Sequence, residues 1–204
     1  MEVFVFPLAQ VLLYPSSAKP LLITEPRYIQ MVHDAIETNT AIAIGFVDEP
    51  NQEYVYRAGE NLRFVRQVVG YGKPLLIEER EDGSLVIFLQ GRGKAVLGKV
   101  IARDVPYIVC EATPQEENMD ISPEAFQNFL TMHRVLISWM KKHVPDADSR
   151  EQYLSHLKTP DQIIGCYATY LIADKDMQQL VLETNDINEK INIVSGLIAS
   201  GELV

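Results

Sequence analysis

The strongest constraint in this chain is a change of hydrophobic period between residues 113 and 122. Before it, from Asn61 to Thr113, apolar residues alternate or run in short blocks between turn residues, the pattern of β-strands. Glu81-Asp82-Gly83-Ser84 offers a turn in which Gly83 can take positive φ, so Leu75–Arg80 and Leu85–Gln90 are expected to form a hairpin. Lys94–Ile101 and Tyr107–Ala112 continue the run. Short strands joined by Gly-bearing turns predict a small barrel or a strongly curved sheet. After the polar connector Pro114-Gln115-Glu116-Glu117-Asn118 the period becomes helical. Ser122-Pro123-Glu124 opens a helix with a Ser cap and Pro in the first turn, and Phe126, Phe129, Leu130, Leu136, Ile137 and Met140 form its apolar stripe.

Further helix starts are read at Asp148 or Ser149, at Thr159-Pro160, near Asp174 and at Asp186, where Glu189 gives capping-box spacing. Ile163, Cys166, Tyr167, Tyr170 and Leu171 share one face, and Ile187, Ile191, Val194 and Ile198 another. Towards the N-terminus, Glu2–Phe6 reads as a strand limited by Pro7, and Val11–Tyr14 as a short apolar run closed by Pro15. Pro26 begins a helix that sets Tyr28, Val32, Ala35 and Ile36 on one face and stops near Asn39. Ala41–Val47 reads as a buried strand. The expected fold is α+β, with a β-rich subdomain at 1–118 and a helical bundle at 119–204 packed on it.

Charge narrows the function. Eighteen basic residues against 28 acidic ones give a net charge of −10, five from each half. The basic cluster Arg57, Arg63 and Arg66 lies among Glu53 and Glu60. Nucleic-acid affinity rests largely on Lys and Arg neutralising phosphates, so general nucleic-acid binding is disfavoured. No stretch approaches the roughly 20 apolar residues of a membrane span. Glu2 and Pro7 do not fit a signal peptide, and the cytoplasm is the expected compartment. Cys110 and Cys166, distant and in apolar surroundings, read as core thiols.

Motifs for chemistry fail on inspection. Gly91-Arg92-Gly93 with Gly98 lacks the third glycine of a dinucleotide fingerprint, since that position is Val96, and Phe88 and Ala95 break a Walker loop. It reads as a structural turn. Asp146–Glu151 begins like a calcium loop but has Glu151 at the glycine position and Leu157 at the final carboxylate, so a solvated helix start is expected. His33, His133, His143 and His156 fall on separate predicted helical segments without zinc-ligand spacing, His133 within an apolar stripe. There is no G-x-S-x-G elbow. The sequence nominates no catalytic, cofactor-binding or metal-ligating residue, and a non-catalytic module is expected.

One block is specific. Phe6-Pro7-Leu8, Val11-Leu12-Leu13-Tyr14-Pro15, Pro20-Leu21-Leu22-Ile23 and Glu25-Pro26-Arg27-Tyr28-Ile29-Gln30-Met31-Val32 together resemble the opening of the Lon protease N-terminal domain family. Asp82-Gly83 through Leu89 and Gly91 is similar to that family's central hairpin, and Pro106-Tyr107 to the start of its later strand. Gln179-Leu180, Leu182-Glu183 and Asp186-Ile187 are similar to its C-terminal helices. Lys94 and Lys190 stand where the family often has Arg, and Thr24 where it often has Phe. The resemblance implies a PUA-like β pseudo-barrel with one short helix, followed by a helical bundle. It also implies binding of proteins or unfolded peptides, as substrate recognition or as an adaptor linked to proteolysis. The chain ends at Val204 without Walker motif or peptidase domain, so a stand-alone member is expected. The binding residues are not assigned; the seam between the halves is the expected surface. RNA binding by the PUA-like architecture and an unrecognised hydrolase are the competing classes.

For the Glu25-Pro26-Arg27-Tyr28 signature a structural role is expected: Pro26 starts the helix, Tyr28 faces the core, Glu25 serves the helix N-terminus and Arg27 clamps a neighbouring turn.

Overall fold

Strands β1 (Glu2–Ala9) and β3 (Ala41–Val47) show no polar alternation because both of their faces are buried. Val3 and Val5 of β1, with Ala41 and Ala43 of β3, point into one apolar core. Phe4 and Phe6, with Ile42 and Ile44, point into a second. The computed structural model describes residues 1–48 and 55–203. Glu53, expected beside the basic cluster, and Val204, the expected chain end, lie outside the described residues.

β1 and β3 pair in parallel, Val3 opposite Ala41. On its other side β1 pairs antiparallel with β6 (Ile108–Pro114). That pairing ends at Val5, two residues before Pro7, so the missing proline N–H interrupts no ladder there. β4 (Val68–Glu79) joins β3 to β5 (Leu85–Val100), and the far half of β5 pairs with β6. The ring β1-β3-β4-β5-β6 therefore closes on itself, while β2 (Ala18–Ile23) lies outside it on the near half of β5. Closure removes free edges from the ring but not from the arm formed by β2, β5 and the end of β4. The result is the expected pseudo-barrel.

The second core is closed by α1 (Pro26–Glu37), the one helix among the described residues of this unit. Its buried face is Tyr28, Met31, Val32 and Ala35. Ile36, expected on that face, is exposed, and Met31 takes its place. Asn39 ends the helix with φ of 55°, a left-handed conformation that asparagine tolerates. Tyr107, before β6, donates a 2.6 Å hydrogen bond to Asp34 of α1 and ties helix to ring.

The glycines at 91 and 93 correct the sequence reading. They form no turn; β5 continues through them as one strand of 16 residues, with a register shift against β4 that leaves Arg92 between the paired Gly91 and Gly93. Leu85, Ile87 and Leu89 face the core under α1, whereas Ala95 and Leu97 face the other core. The strand passes from one core to the other at Gly91-Arg92-Gly93. A Cβ at position 91 would lie 2.0 Å from the Tyr14 carbonyl oxygen, so close approach of another chain segment, not positive φ, demands glycine. The expected hairpin turn is present, with Gly83 at φ 79° and Asp82 accepting from the Ser84 N–H and hydroxyl.

Met1–Gln115 and Glu116–Val204 form separate compact units. The second is helical: α2 (Pro123–His143), α3 (Ala147–His156), α4 (Pro160–Cys166), a π-helical turn (Tyr167–Leu171), α5 (Lys175–Glu183) and α6 (Ile187–Ser200). Caps explain the starts. Ser122 accepts from the Ala125 N–H, Asp146 from Ser149, Asp174 from Met177 and Asp186 from Asn188. The third helix is thus capped by Asp146 rather than Asp148 or Ser149. The apolar stripe of α2 is also displaced: Ala125, Met132, Leu136 and Met140 are buried, and Phe126 is exposed. Tyr167 reaches back to donate to the Met132 carbonyl at 2.6 Å, locking the π-helical turn to α2. That turn rotates Tyr170, expected inward with Tyr167, to the surface.

Candidate functional site

Seen from the core, the arm is ordinary. Leu85, Ile87, Leu89 and Ile23 are sealed beneath α1. Side chains alternate across a strand, so Phe88 must project from the opposite face. Register sets Pro20 and Leu75 on either side of Phe88, and Leu22 beside Val86. Ile77, two residues after Leu75 and at a bulge between Leu76 and Glu78, is exposed as well. Leu22, Leu75, Ile77 and Phe88 keep 54%, 48%, 52% and 40% of their surface. Single exposed apolar residues are commonplace; a contiguous group on one sheet face marks an interaction surface.

Carboxylates frame its end. Glu78, Glu79, Glu81 and Asp82 are exposed around the hairpin turn, with Arg80 near Glu78 at 3.8 Å. The hydrogen bonds from Ser84 hold Asp82 below the usual carboxylate range, so it stays charged. The arrangement can hold apolar groups on the sheet and a cation at its rim. It has no nucleophile and base pair.

A second concavity lies in the helical unit. Trp139, Met140, Val144, Tyr153, Cys166 and Tyr170 line an apolar pocket of about 190 Å³. The Tyr153 hydroxyl donates to that of Tyr170 at 3.3 Å, and the His143 ring stacks on Trp139 with centroids 4.3 Å apart. Burial pushes the Cys166 thiol up to about 11 and the Cys110 thiol up to about 12. Only thiolates alkylate readily, so both cysteines are expected to resist iodoacetamide at pH 8 in the folded protein and to react fully in denaturant. Mass spectrometry of the intact chain checks this.

The residues weighed from sequence do not converge. His33 is exposed on α1; His133 and His143 share α2, which runs unbroken between them, contrary to the expected separate segments. His143 and His156 each turn Nδ1 to the carbonyl four residues back, of Trp139 and Gln152. Among the described residues no three His, Cys, Asp or Glu side chains are grouped as metal ligands. Asp146, read against a calcium loop, is a helix cap. Arg66 of the basic cluster is ion-paired with Asp48 at 2.7 Å. Arg27 pairs with Glu25 at 2.7 Å and lies over the Tyr28 ring, rather than clamping another turn. Glu25 serves the helix through its backbone carbonyl, which accepts from Tyr28 and Ile29.

Sequence reasoning missed the arm surface. Its signal was there: Leu75-Leu76-Ile77 places three apolar residues in succession, one more than a half-buried strand can hide, directly after an edge-marking Pro74.

A β ring with a covering helix, an apolar-faced arm and a following helical unit define a module of α+β class. The chain belongs to the ATP-dependent protease La (Lon) substrate-binding domain family, whose model matches residues 2–200. Among solved structures it is similar to the crystal structure of a Lon N-terminal domain protein from Xanthomonas campestris. That likeness has a TM-score of 0.67 and 17% identity over 98% of both chains. It is also similar to the N-terminal domain of a Mycobacterium avium complex Lon protease, with a TM-score of 0.72 and 14% identity over 98% of both. At these identities the likeness shows the fold. No curated protein matches the chain. Among the described residues no helix is long and apolar enough to cross a membrane.

Proposed function

We propose that this protein is a non-catalytic binder of unfolded or extended polypeptide, acting as a substrate-recognition or adaptor element in proteolysis. The family supports substrate binding. The observation that carries the polypeptide reading is the apolar face of Leu22, Leu75, Ile77 and Phe88. Unfolded chains differ from folded ones in exposing apolar side chains, and an apolar sheet face can receive them without demanding one sequence. The carboxylates at its rim disfavour a nucleic-acid backbone at this surface.

A carboxymethylated, permanently unfolded polypeptide is the test ligand. It is expected to bind the native protein, and Leu22→Ser with Phe88→Ser is expected to weaken that binding about tenfold or more, as loss of central apolar anchors does. Both residues lie on the exposed face of the arm and outside its buried core, so the fold should survive, which circular dichroism verifies. Unchanged affinity in the double variant would overturn the reading.

A further inference from the structure

β4 changes neighbours along its length. At Gly70–Gly72 it is paired on both sides, with β3 and with β5. From Lys73 to Glu79, among the described residues, it pairs with β5 alone. Among the described residues, no backbone partner lies along the other edge of Leu75–Glu79. In an antiparallel ladder, successive residues direct their N–H and C=O groups alternately to the two sides. Some of these groups therefore face outward, beside the exposed Leu75 and Ile77. The arm's opposite border, β2, carries Pro20 in its middle and lacks that donor. Leu75–Glu79 contains no proline. Of the two borders it is the one able to donate at every outward position.

We propose that this edge receives its ligand as an added strand: an extended segment with an apolar centre flanked by Lys or Arg. The inference rests on the polypeptide-binding reading above and specifies how the ligand is held. Main-chain hydrogen bonds to Leu75–Glu79 supply affinity independent of sequence, and alternate ligand side chains lie beside Leu75 and Ile77. Charge selects the partner. Glu78, Glu79, Glu81 and Asp82 outnumber Arg80, so a second copy of this chain would bring the same excess of negative charge and no set of cations to answer it. A cation at the end of the ligand meets them instead. The bulge between Leu76 and Glu78 keeps the added ladder short, which restrains sheet-to-sheet aggregation.

The test uses three synthetic peptides followed by fluorescence polarisation. The first alternates Leu and Thr and ends in two lysines. The second is the same peptide methylated at every amide nitrogen of its apolar centre, and the third carries Glu in place of Lys. The first is expected to bind at least about tenfold more tightly than the methylated form, which retains the side chains but cannot donate. It is also expected to outbind the Glu peptide, and Glu78→Lys with Glu79→Lys should reverse that preference. Equal binding of the first two peptides overturns strand addition and leaves the polypeptide reading intact. So does failure of all three while the unfolded polypeptide still binds. Failure of both ligand types overturns the two together. A dimer in sedimentation that dissociates in the Glu78→Lys, Glu79→Lys variant overturns the choice of partner.

Discussion

Gly70→Ala is expected to lower the stability of the β unit by about 3 kcal/mol, toward the upper end for an overpacked core position. A Cβ at residue 70 would stand 1.7 Å from the Leu13 carbonyl oxygen and 2.7 Å from its carbonyl carbon. Those are backbone atoms, so no rotamer change relieves the clash. Leu13 is fully buried in the core beneath α1, which ties its segment down. The buried, irregular run Leu12-Leu13-Tyr14 therefore presses backbone to backbone on β4 and β5, with glycine at both contacts. The control is Gly196→Ala. A Cβ there meets nothing within 4 Å, and the site is an exposed position within α6. It should raise stability by about 0.5–1 kcal/mol, since alanine is the better helix former. Urea midpoints by circular dichroism must move in opposite directions; a Gly70→Ala variant as stable as the parent would contradict the packing described.

Glu117→Ala is expected to cost about 3–5 kcal/mol, because it leaves the Lys190 ammonium buried without its carboxylate. The Lys190 Nζ to Glu117 Oε2 distance is 2.6 Å, with the two side chains 5% and 12% exposed. The same connector is held to the start of α6 by Asn118, whose amide donates to Asp186 and whose carbonyl accepts from Ile187. The desolvation penalty of such a pair is large, so the intact pair adds little beyond well-packed apolar side chains. Glu117→Leu combined with Lys190→Met should therefore be close to neutral. Thermal unfolding of Glu117→Ala, of Lys190→Met alone and of the double separates these claims. The Glu117→Ala midpoint should fall by about 10 °C, given the slope expected for a chain of this size. A double variant as damaged as the singles would show that the pair itself stabilises the helical unit.

How much of this was legible in the residues depends on how local the physics is. The caps at Ser122, Asp174 and Asp186, the turn at Gly83 and the burial of Ala41–Val47 all follow from neighbours in sequence. The resemblance of the opening block to the Lon N-terminal family pointed to the same fold. Errors came where distant segments decide. Ile36 and Phe126 had the right spacing but faced outward, because α1 and α2 are rotated by what packs against them. Gly91-Arg92-Gly93 carried the composition of a turn, yet the Tyr14 carbonyl, far away in sequence, makes glycine necessary at 91 inside a strand. The arm surface escaped notice because Phe88 and Leu75 are normal strand residues until it is known that no second layer covers them.

The sequence by itself determined the period change, and with it a β unit followed by helices, together with the absence of any local motif for chemistry. Only the tertiary structure decided that the ring closes and leaves one arm outside it. Alternation says that a strand has two faces; it does not say which faces find a partner. That is set by long-range pairing, which here buries both faces of β1 and β3 and leaves Leu22, Leu75, Ile77 and Phe88 on the arm exposed to solvent.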